Sequence, residues 1–261
     1  DPEALPRALI EHDISVLHAV PTLLALFAQD VPCLRLINLG GEACPQALAE
    51  QWARPGRQLF NTYGPTEATV SASLAELHAG QPVTIGQALP NYGLMVIEPI
   101  DPDAQAPGVP PALKLLPFGE TGELCITGPG VAAGYLGRPD LTAEKFLPNP
   151  WARHPAEARL YRTGDLARVE VAADGTPQMQ CLGRADDQVK IRGFRVELGE
   201  IEAVLAAQPG VGTTAVLLRQ DEGLEQLVAF MVPSGDAPPA PAALRAGLAE
   251  KLPPYMVPTH F

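Results

Sequence analysis

Residues 183–202, GRADDQVKIRGFRVELGEIE, constrain the fold of this chain more than any other stretch. After a turn-like GRAD, Val189 and Ile191 fall on one side of an alternating segment and Gln188, Lys190 and Arg192 on the other, the pattern of a half-buried strand. Gly193 breaks that segment. Leu198, Ile201, Val204 and Leu205 then recur at i, i+3, i+6 and i+7, an apolar helical stripe. Glu197, Glu200 and Glu202 lie near its N-terminus, where the helix dipole favours negative charge. The stretch predicts strand, sharp turn and helix.

Upstream, the apolar runs at 14–19 and 34–39 predict buried strands with a helical segment, 22–29, between them, which is α/β alternation. Gly40-Gly41-Glu42 ends the second strand, Pro45 suits a helix start, and 47–52 continue that helix. A short strand at 59–62 runs into Tyr63-Gly64-Pro65-Thr66-Glu67, a tight turn at a strand end, where open α/β sheets place ligands. Residues 99–117, rich in Pro, Ala and Gly, predict an extended loop and a subdomain boundary. Beyond it, 119–139 alternates around Leu124 and Ile126 and then breaks into glycine turns, the sign of a small β-rich subdomain. The TGD of LYRTGDL, 160–166, read alone is a β-turn. The last third predicts strands at 213–219 and 226–232 and a helix carrying Leu244, Leu248 and Leu252. The segment LPPYMVP, 252–258, reads as extended.

Composition excludes several classes. Eighteen basic against 30 acidic residues give a formal charge of −12, and no basic run interleaved with aromatics occurs, which argues against a nucleic-acid or anionic-membrane surface. Cys33, Cys44, Cys125 and Cys181 lack metal-ligand spacing and read as core thiols of a reducing compartment. The longest apolar run, 16–28, is interrupted by His18, Pro21 and Thr22 and is too short to span a bilayer. With no signal peptide recognised, a cytoplasmic location is expected.

Residues 183–202 resemble the hinge and core-eight motif of nonribosomal peptide synthetase adenylation domains, members of the adenylate-forming superfamily. NTYGPTEATVS resembles that family's core five, GETGELCITGPGVAAGYLGRP its core six, LYRTGDL its core seven and LPPYMVP its core nine, in the family's order. Ala133 stands where core six usually carries Arg, and Cys181 where an aromatic often packs near the nucleotide. The resemblance implies the end of a large α/β adenylate-forming domain plus a small β-rich subdomain (1–184, divided as 1–108 and 109–184), followed by a small α+β C-terminal domain, 185–261, incomplete at its end.

It also implies an activity: an amino acid is activated with Mg-ATP to aminoacyl-AMP and pyrophosphate, then transferred to the phosphopantetheine thiol of a peptidyl carrier protein, in cis or in trans. By the same resemblance Asn61 and Tyr63 contact adenine, Gly41 belongs to the nucleotide site, and Thr66 lies near the phosphates. Glu67 holds Mg²⁺. Asp165 accepts hydrogen bonds from the ribose hydroxyls and Arg184 is a second nucleotide ligand. Asp186 is the hinge, Gly193, Phe194 and Arg195 line the pantetheine path, and His18, Ile37, Leu39, Thr62, Val70 and Ser71 line the substrate pocket.

Three parts of such an enzyme have no counterpart in the sequence: a phosphate-cradling loop with its lysine, an upstream aspartate for the substrate ammonium, and a lysine after Phe261. The chain is therefore expected to be the second half of an adenylation domain, inactive alone. Within the superfamily the alternative is an acyl- or aryl-CoA ligase, against which stand Asp186 and ELGEIE, where those enzymes commonly carry a lysine-type hinge and a proline. The alternative from another class is a degenerate, non-catalytic nucleotide-binding module.

Overall fold

A computed structural model describes residues 4–100, 111–186, 188–191, 193–221, 224–235 and 238–261. The chain forms two compact units, Asp1–Asp186 and Asp187–Phe261. In the first, α1 (Ala4–Glu11), β1 (Val16–Ala19), α2 (Pro21–Ala25), β2 (Leu36–Gly40), α3 (Gln46–Trp52) and β3 (Gln58–Tyr63) alternate. With β4 (Ser73–Glu76) and β5 (Gln87–Ala88) they build a sheet in the order β1-β2-β3-β4-β5. The first three strands are parallel, and β4 and β5 continue the sheet antiparallel. Parallel neighbours need a crossover long enough to return the chain, and the helices supply it. Leu24, Ile37, Leu39, Trp52 and Leu59 fill the core beneath the sheet. Proline opens α2, and the Glu42 carboxylate accepts from both the backbone N–H and the hydroxyl of Thr22 at 3.0 Å, fixing the loop after β2 to that helix.

A second sheet contains β6 (Gly93–Ile97) and β7 (Gly122–Thr127); after α4 (Pro139–Lys145) come β8 (Phe146–Pro148), β9 (Arg159–Val171) and β10 (Pro177–Arg184). Its order is β10-β9-β7-β6, with β8 on β9, all antiparallel. All six residues of β7 are buried, so this strand is the centre of the subdomain. Gly86 and Met179 form an isolated backbone pair that joins the segment before β5 to β10.

The second unit comprises β11 (Gln188–Ile191), β12 (Phe194–Glu197), α5 (Leu198–Ala206), β13 (Val211–Asp221), β14 (Leu224–Pro233) and α6 (Pro241–Ala249). Both strand pairs are antiparallel, and Val196, Ile201, Leu205 and Leu248 form its fully buried centre. Among the described residues no helix is long and apolar enough to cross a membrane.

Several elements differ from expectation. The stretch read as strand, turn and helix holds a second strand: Gly193, at φ +81°, reverses the chain so that β12 pairs back on β11, with Val196 opposite Val189. The helix expected over 22–29 stops at Ala25, because the Leu26 N–H bonds Leu23 O at 3.2 Å, a three-residue closure that ends the α-ladder. The TGD triplet lies within the 13-residue β9. Helix α4 has no counterpart in the sequence reading, Leu252 lies past the end of α6, and LPPYMVP contains a 3₁₀ turn at Pro254–Met256. Most of the Pro-rich segment, 101–110, lies outside the described residues, while Leu115 pairs with Ile97.

Trp52 anchors the first core. It is 1% exposed, meets Phe27 edge-on at 5.9 Å, and carries the Arg57 guanidinium 5.3 Å from its ring centroid. Its buried indole N–H finds no hydrogen-bond partner among the described residues. Trp52→Ala is expected to cost about 3–5 kcal/mol. Trp52→Phe, which also removes a buried unmet donor worth about 1–3 kcal/mol, is expected to cost less. The shift in urea midpoint of the two variants checks this order.

Candidate functional site

The candidate site gathers where β3, β9 and β10 end or bend. β3 delivers Asn61 and Tyr63, both buried, on the same side of the strand. The Asn61 amide donates to Thr84 O at 2.8 Å, which fixes its plane. The chain then turns sharply: a Cβ on Gly64 would stand 2.7 Å from Ala72 N and Val70 O, so only glycine fits. A 3₁₀ turn, Thr66–Ala68, leaves Thr66 exposed and buries Glu67, whose Oε1 accepts from the Tyr135 hydroxyl at 2.7 Å. Tyr135 in turn lies 3.5 Å, oxygen to oxygen, from Tyr161 on β9. Thr69 and Val70 follow at φ +57° and +72°, conformations that β-branched residues rarely adopt. The structure holds them there: Thr69 Oγ1 donates to Gly130 O at 2.8 Å, Ala132 N to Glu67 O at 2.8 Å, and Tyr92 Oη to Ala68 O at 2.9 Å. The core-six loop is thus the brace of the core-five turn.

On β9 the register against β7 shifts between Glu123 and Cys125. Side chains satisfy the backbone there. Glu123 Oε1 accepts from Gly164 N at 3.1 Å, Thr163 Oγ1 donates to Leu124 O at 2.7 Å and accepts from Asp165 N at 3.0 Å. The Glu123 carboxylate is itself paired with Arg162 at 2.7 Å, both largely buried. The irregularity turns Asp165 onto β10, where Arg184 is its strand partner. Arg184 Nη1 donates to Asp165 Oδ1 at 2.8 Å, and its Nε and Nη2 donate to the two oxygens of Asp186 at 2.6 and 2.7 Å. Tyr63 donates its hydroxyl to Asp165 Oδ2. Gly164, at φ +75°, leaves room for this fork, since a Cβ there would lie 2.7 Å from Arg184 Nη2.

The structure therefore brings Tyr63, Asp165, Arg184 and Asp186 into one network and connects Glu67 to β9 through two tyrosines. The expected pocket residues are not gathered. His18 accepts from the Asn38 amide at 3.1 Å, and Thr62 packs beside Gly40, on one face of the parallel sheet. Ile37 and Leu39 alternate with Asn38 and sit fully buried on the other face, in the Trp52 core. Val70 and Ser71 belong to the strained turn, with Val70 exposed, and Gly41, at φ +83°, is exposed just past β2. In the second unit Gly193 closes the β11–β12 turn, Phe194 is half exposed, and Arg195 Nε donates to Gln188 Oε1 at 2.7 Å.

Glu123, Arg162 and Thr163 carry a sequence signal of their own, a charged or hydroxyl residue inside an apolar, strand-like run, which a folded chain tolerates only when it is paired. Tyr135, in the glycine-flanked loop between β7 and α4, carries none. Of the cysteines, Cys125 is buried and the other three partly so; burial pushes Cys44 up to about 11 and Cys125 well above the usual thiol range, so neither is a thiolate at neutral pH.

Comparison with known proteins agrees over both units. The family described as AMP-binding enzyme matches residues 1–136, and the AMP-binding enzyme C-terminal domain matches 200–261. A delta-poly-L-ornithine synthetase of Acinetobacter baumannii is 59% identical across 100% of this chain, which covers 18% of that protein. Bacitracin synthase 3 of Bacillus licheniformis is 41% identical over 100% of the chain and 4% of its own length. The chain therefore spans a fifth or less of these two relatives. Among solved structures, the Vibrio cholerae adenylation domain AlmE, in complex with glycyl-adenosine-5'-phosphate, superposes with a TM-score of 0.79 at 29% identity, over 98% of this chain and 48% of that one. An artificially fused adenylation-PCP di-domain from Klebsiella oxytoca gives 0.77 at 27%, over 99% and 46%.

Burial, and next the Asp165 charge and hydrogen bond, raise the Tyr63 phenol well above its ordinary value. The unfolded chain then loses this proton first as pH rises past about 10. Above that pH the folded state binds more protons than the unfolded state, so the contribution of Tyr63 to stability is full below pH ~10 and declines above it. Tyr63→Phe is expected to flatten this alkaline decline, as measured by urea unfolding on either side of that pH.

Proposed function

The chain belongs to the family of AMP-binding enzymes, and from that premise we propose that it supplies the nucleotide and hinge side of an amino-acid adenylation domain in nonribosomal peptide synthesis. The observation that carries this reading is the Tyr63–Asp165–Arg184–Asp186 network at the ends of β3, β9 and β10. In the first half-reaction a carboxylate oxygen of the amino acid attacks the α-phosphorus of ATP. The bond to the bridging oxygen breaks, and pyrophosphate departs with its electron pair. In the second, the thiol sulfur of a carrier-bound phosphopantetheine attacks the acyl carbon, the carbon–oxygen bond to AMP breaks, and the thiol proton passes to solvent. Such chemistry depends mainly on positioning and charge.

Asp165 is suited to the ribose. A carboxylate offers about four lone-pair directions. Tyr63 and Arg184 occupy one on each oxygen and aim the group, and the two ribose hydroxyls take the others. The Asn61 amide, fixed by Thr84, and the Tyr63 ring border the adenine, with Gly41 at the edge of the same site. Thr66 is available at the phosphates.

Glu67 fits a magnesium ion. It is a hard oxygen donor, a buried carboxylate held by the Tyr135 hydroxyl, and one such carboxylate suits an ion completed by substrate phosphates and water. When bound, Mg²⁺ neutralises phosphate charge; Tyr135 holds the carboxylate that meets it.

Asp186 ends the first unit and serves as the hinge, and Gly193, Phe194 and Arg195 line the pantetheine path. The partners are an amino acid and a peptidyl carrier protein. A polar side chain suits His18, Thr62 and Ser71, and the 59%-identical relative names ornithine.

The test is amino-acid-dependent exchange between ATP and pyrophosphate by the full-length protein, over a panel led by L-ornithine, L-lysine and glycine. Exchange with one of them is expected. Asp165→Ala is expected to lower kcat/KM for ATP roughly 10²–10⁴-fold, the worth of two hydrogen bonds to a charged group. Asp186→Pro is expected to impair exchange and carrier loading unequally. Absence of exchange with every acid moves the assignment to a non-catalytic nucleotide-binding module, and loading of free CoA in place of a carrier to a CoA ligase.

A further inference from the structure

The core-nine segment has no part in the chemistry above, yet it carries the closest aromatic contact of the second unit. Phe194 and Tyr255 stack with ring centroids 4.1 Å apart and planes 8° from parallel. Phe194 directly follows the reversal at Gly193 and pairs with Ile191 across the β11–β12 turn. A half-exposed phenylalanine on a two-stranded hairpin has little to select its rotamer. A flat ring laid against one face removes that freedom and leaves the opposite face accessible.

Tyr255 is held for the task from both sides. Pro253 and Pro254 open the 3₁₀ turn Pro254–Met256, closed by Met256 N donating to Pro253 O at 2.9 Å. Proline fixes φ, so the turn enters in one conformation. Met256 is 5% exposed and anchors the turn in the core that contains Val196, Ile201 and Leu248, against which Tyr255 itself packs. Arg195, the next residue of the path, is fixed separately by Gln188. The stack is therefore the device specific to Phe194.

We propose that Tyr255 is a positioning residue for thioester formation, acting through Phe194 by holding its ring in the orientation that guides the pantetheine arm. The inference rests on the adenylation and transfer reading above. It assigns a function to the LPPYMVP segment that differs from general packing: the tyrosine ring matters for the second half-reaction.

The experiment compares Tyr255→Leu, Tyr255→Phe, Phe194→Leu and the double leucine variant in the full-length protein. It follows pyrophosphate exchange, single-turnover loading of the carrier, and melting temperature. Tyr255→Leu is expected to stay folded, with a small fall in melting temperature, and to keep the wild-type exchange rate while loading falls roughly tenfold, within the ~10²-fold that a misplacement of about an ångström costs. Tyr255→Phe restores loading, because the stack needs the ring and not the hydroxyl. The double leucine variant loads no more slowly than Phe194→Leu, since one residue acts through the other. Wild-type loading by Tyr255→Leu, or additive losses in the double variant, overturns the assignment while exchange stands. A fall in exchange and loading together with melting temperature overturns it in favour of a packing role. Lack of exchange in the unsubstituted protein overturns the adenylation reading itself and this inference with it.

Discussion

The first unit depends on satisfying a carboxylate where water is scarce. Asp165 is 6% exposed, and a carboxylate at that depth is costly unless it is paired and hydrogen-bonded. The chain meets the cost with a permanent cation and a phenol, one on each oxygen. Arg184 cannot surrender its charge at accessible pH, and its flat fork reaches Asp186 at the same time. One guanidinium thus serves two carboxylates within residues 63–186 before any nucleotide arrives. A second pair, Glu123 with Arg162, supports the first from below. It supplies the acceptor for Gly164 N at the point where the β7–β9 ladder is out of register. An ion pair this buried adds little net stability over an apolar pair of the same shape, but removing one partner is severe. Its value here is geometric, because it fixes the strand irregularity that aims Asp165.

The same economy governs the core-five turn. Two β-branched residues with positive φ cost of order 1–3 kcal/mol each and persist only where neighbours over-determine them. Gly130, Ala132 and Tyr92, from segments far along the chain, are those neighbours. Motifs that look independent in sequence are therefore one object: core six braces core five, and core seven and the start of core eight share a carboxylate.

Much of this was legible beforehand. The α/β alternation up to β3, the β-rich middle and the helices with Leu198, Ile201 and Leu248 follow from periodicity, since each buries one clean face. The identities of Glu67, Asp165 and Arg184 came from motif wording. Their connections did not, because Tyr63 and Asp165 are separated by 102 positions and a long-range hydrogen bond leaves no local pattern. Strand β12 was missed for another reason: FRVE has one buried residue, Val196, and its pairing depends on the reversal at Gly193 rather than on its own propensity. The TGD triplet misleads similarly, since a glycine and an aspartate that spell a turn in isolation are here a strand irregularity stabilised by Glu123 and Thr163.

Substrate selection is where motif wording and geometry diverge most. A motif assigns residues by position along the chain, whereas a strand assigns them to faces by parity, and one step changes the face. On β2, Ile37 and Leu39 take the parity of the Trp52 core, while Asn38 and Gly40 take that of His18 and Thr62 through the parallel pairings with β1 and β3. Asn38 already engages His18, and the absence of a side chain at Gly40 is what admits Thr62, whose hydroxyl lies 2.5 Å from where a Cβ would stand. A substrate approaching that face meets the imidazole of His18, the Asn38 amide and the Thr62 hydroxyl, flanked by the aliphatic Val16 and Leu74 of the neighbouring strand positions. The sheet register, more than the residue types at the motif positions, decides which of the six side chains can share a ligand.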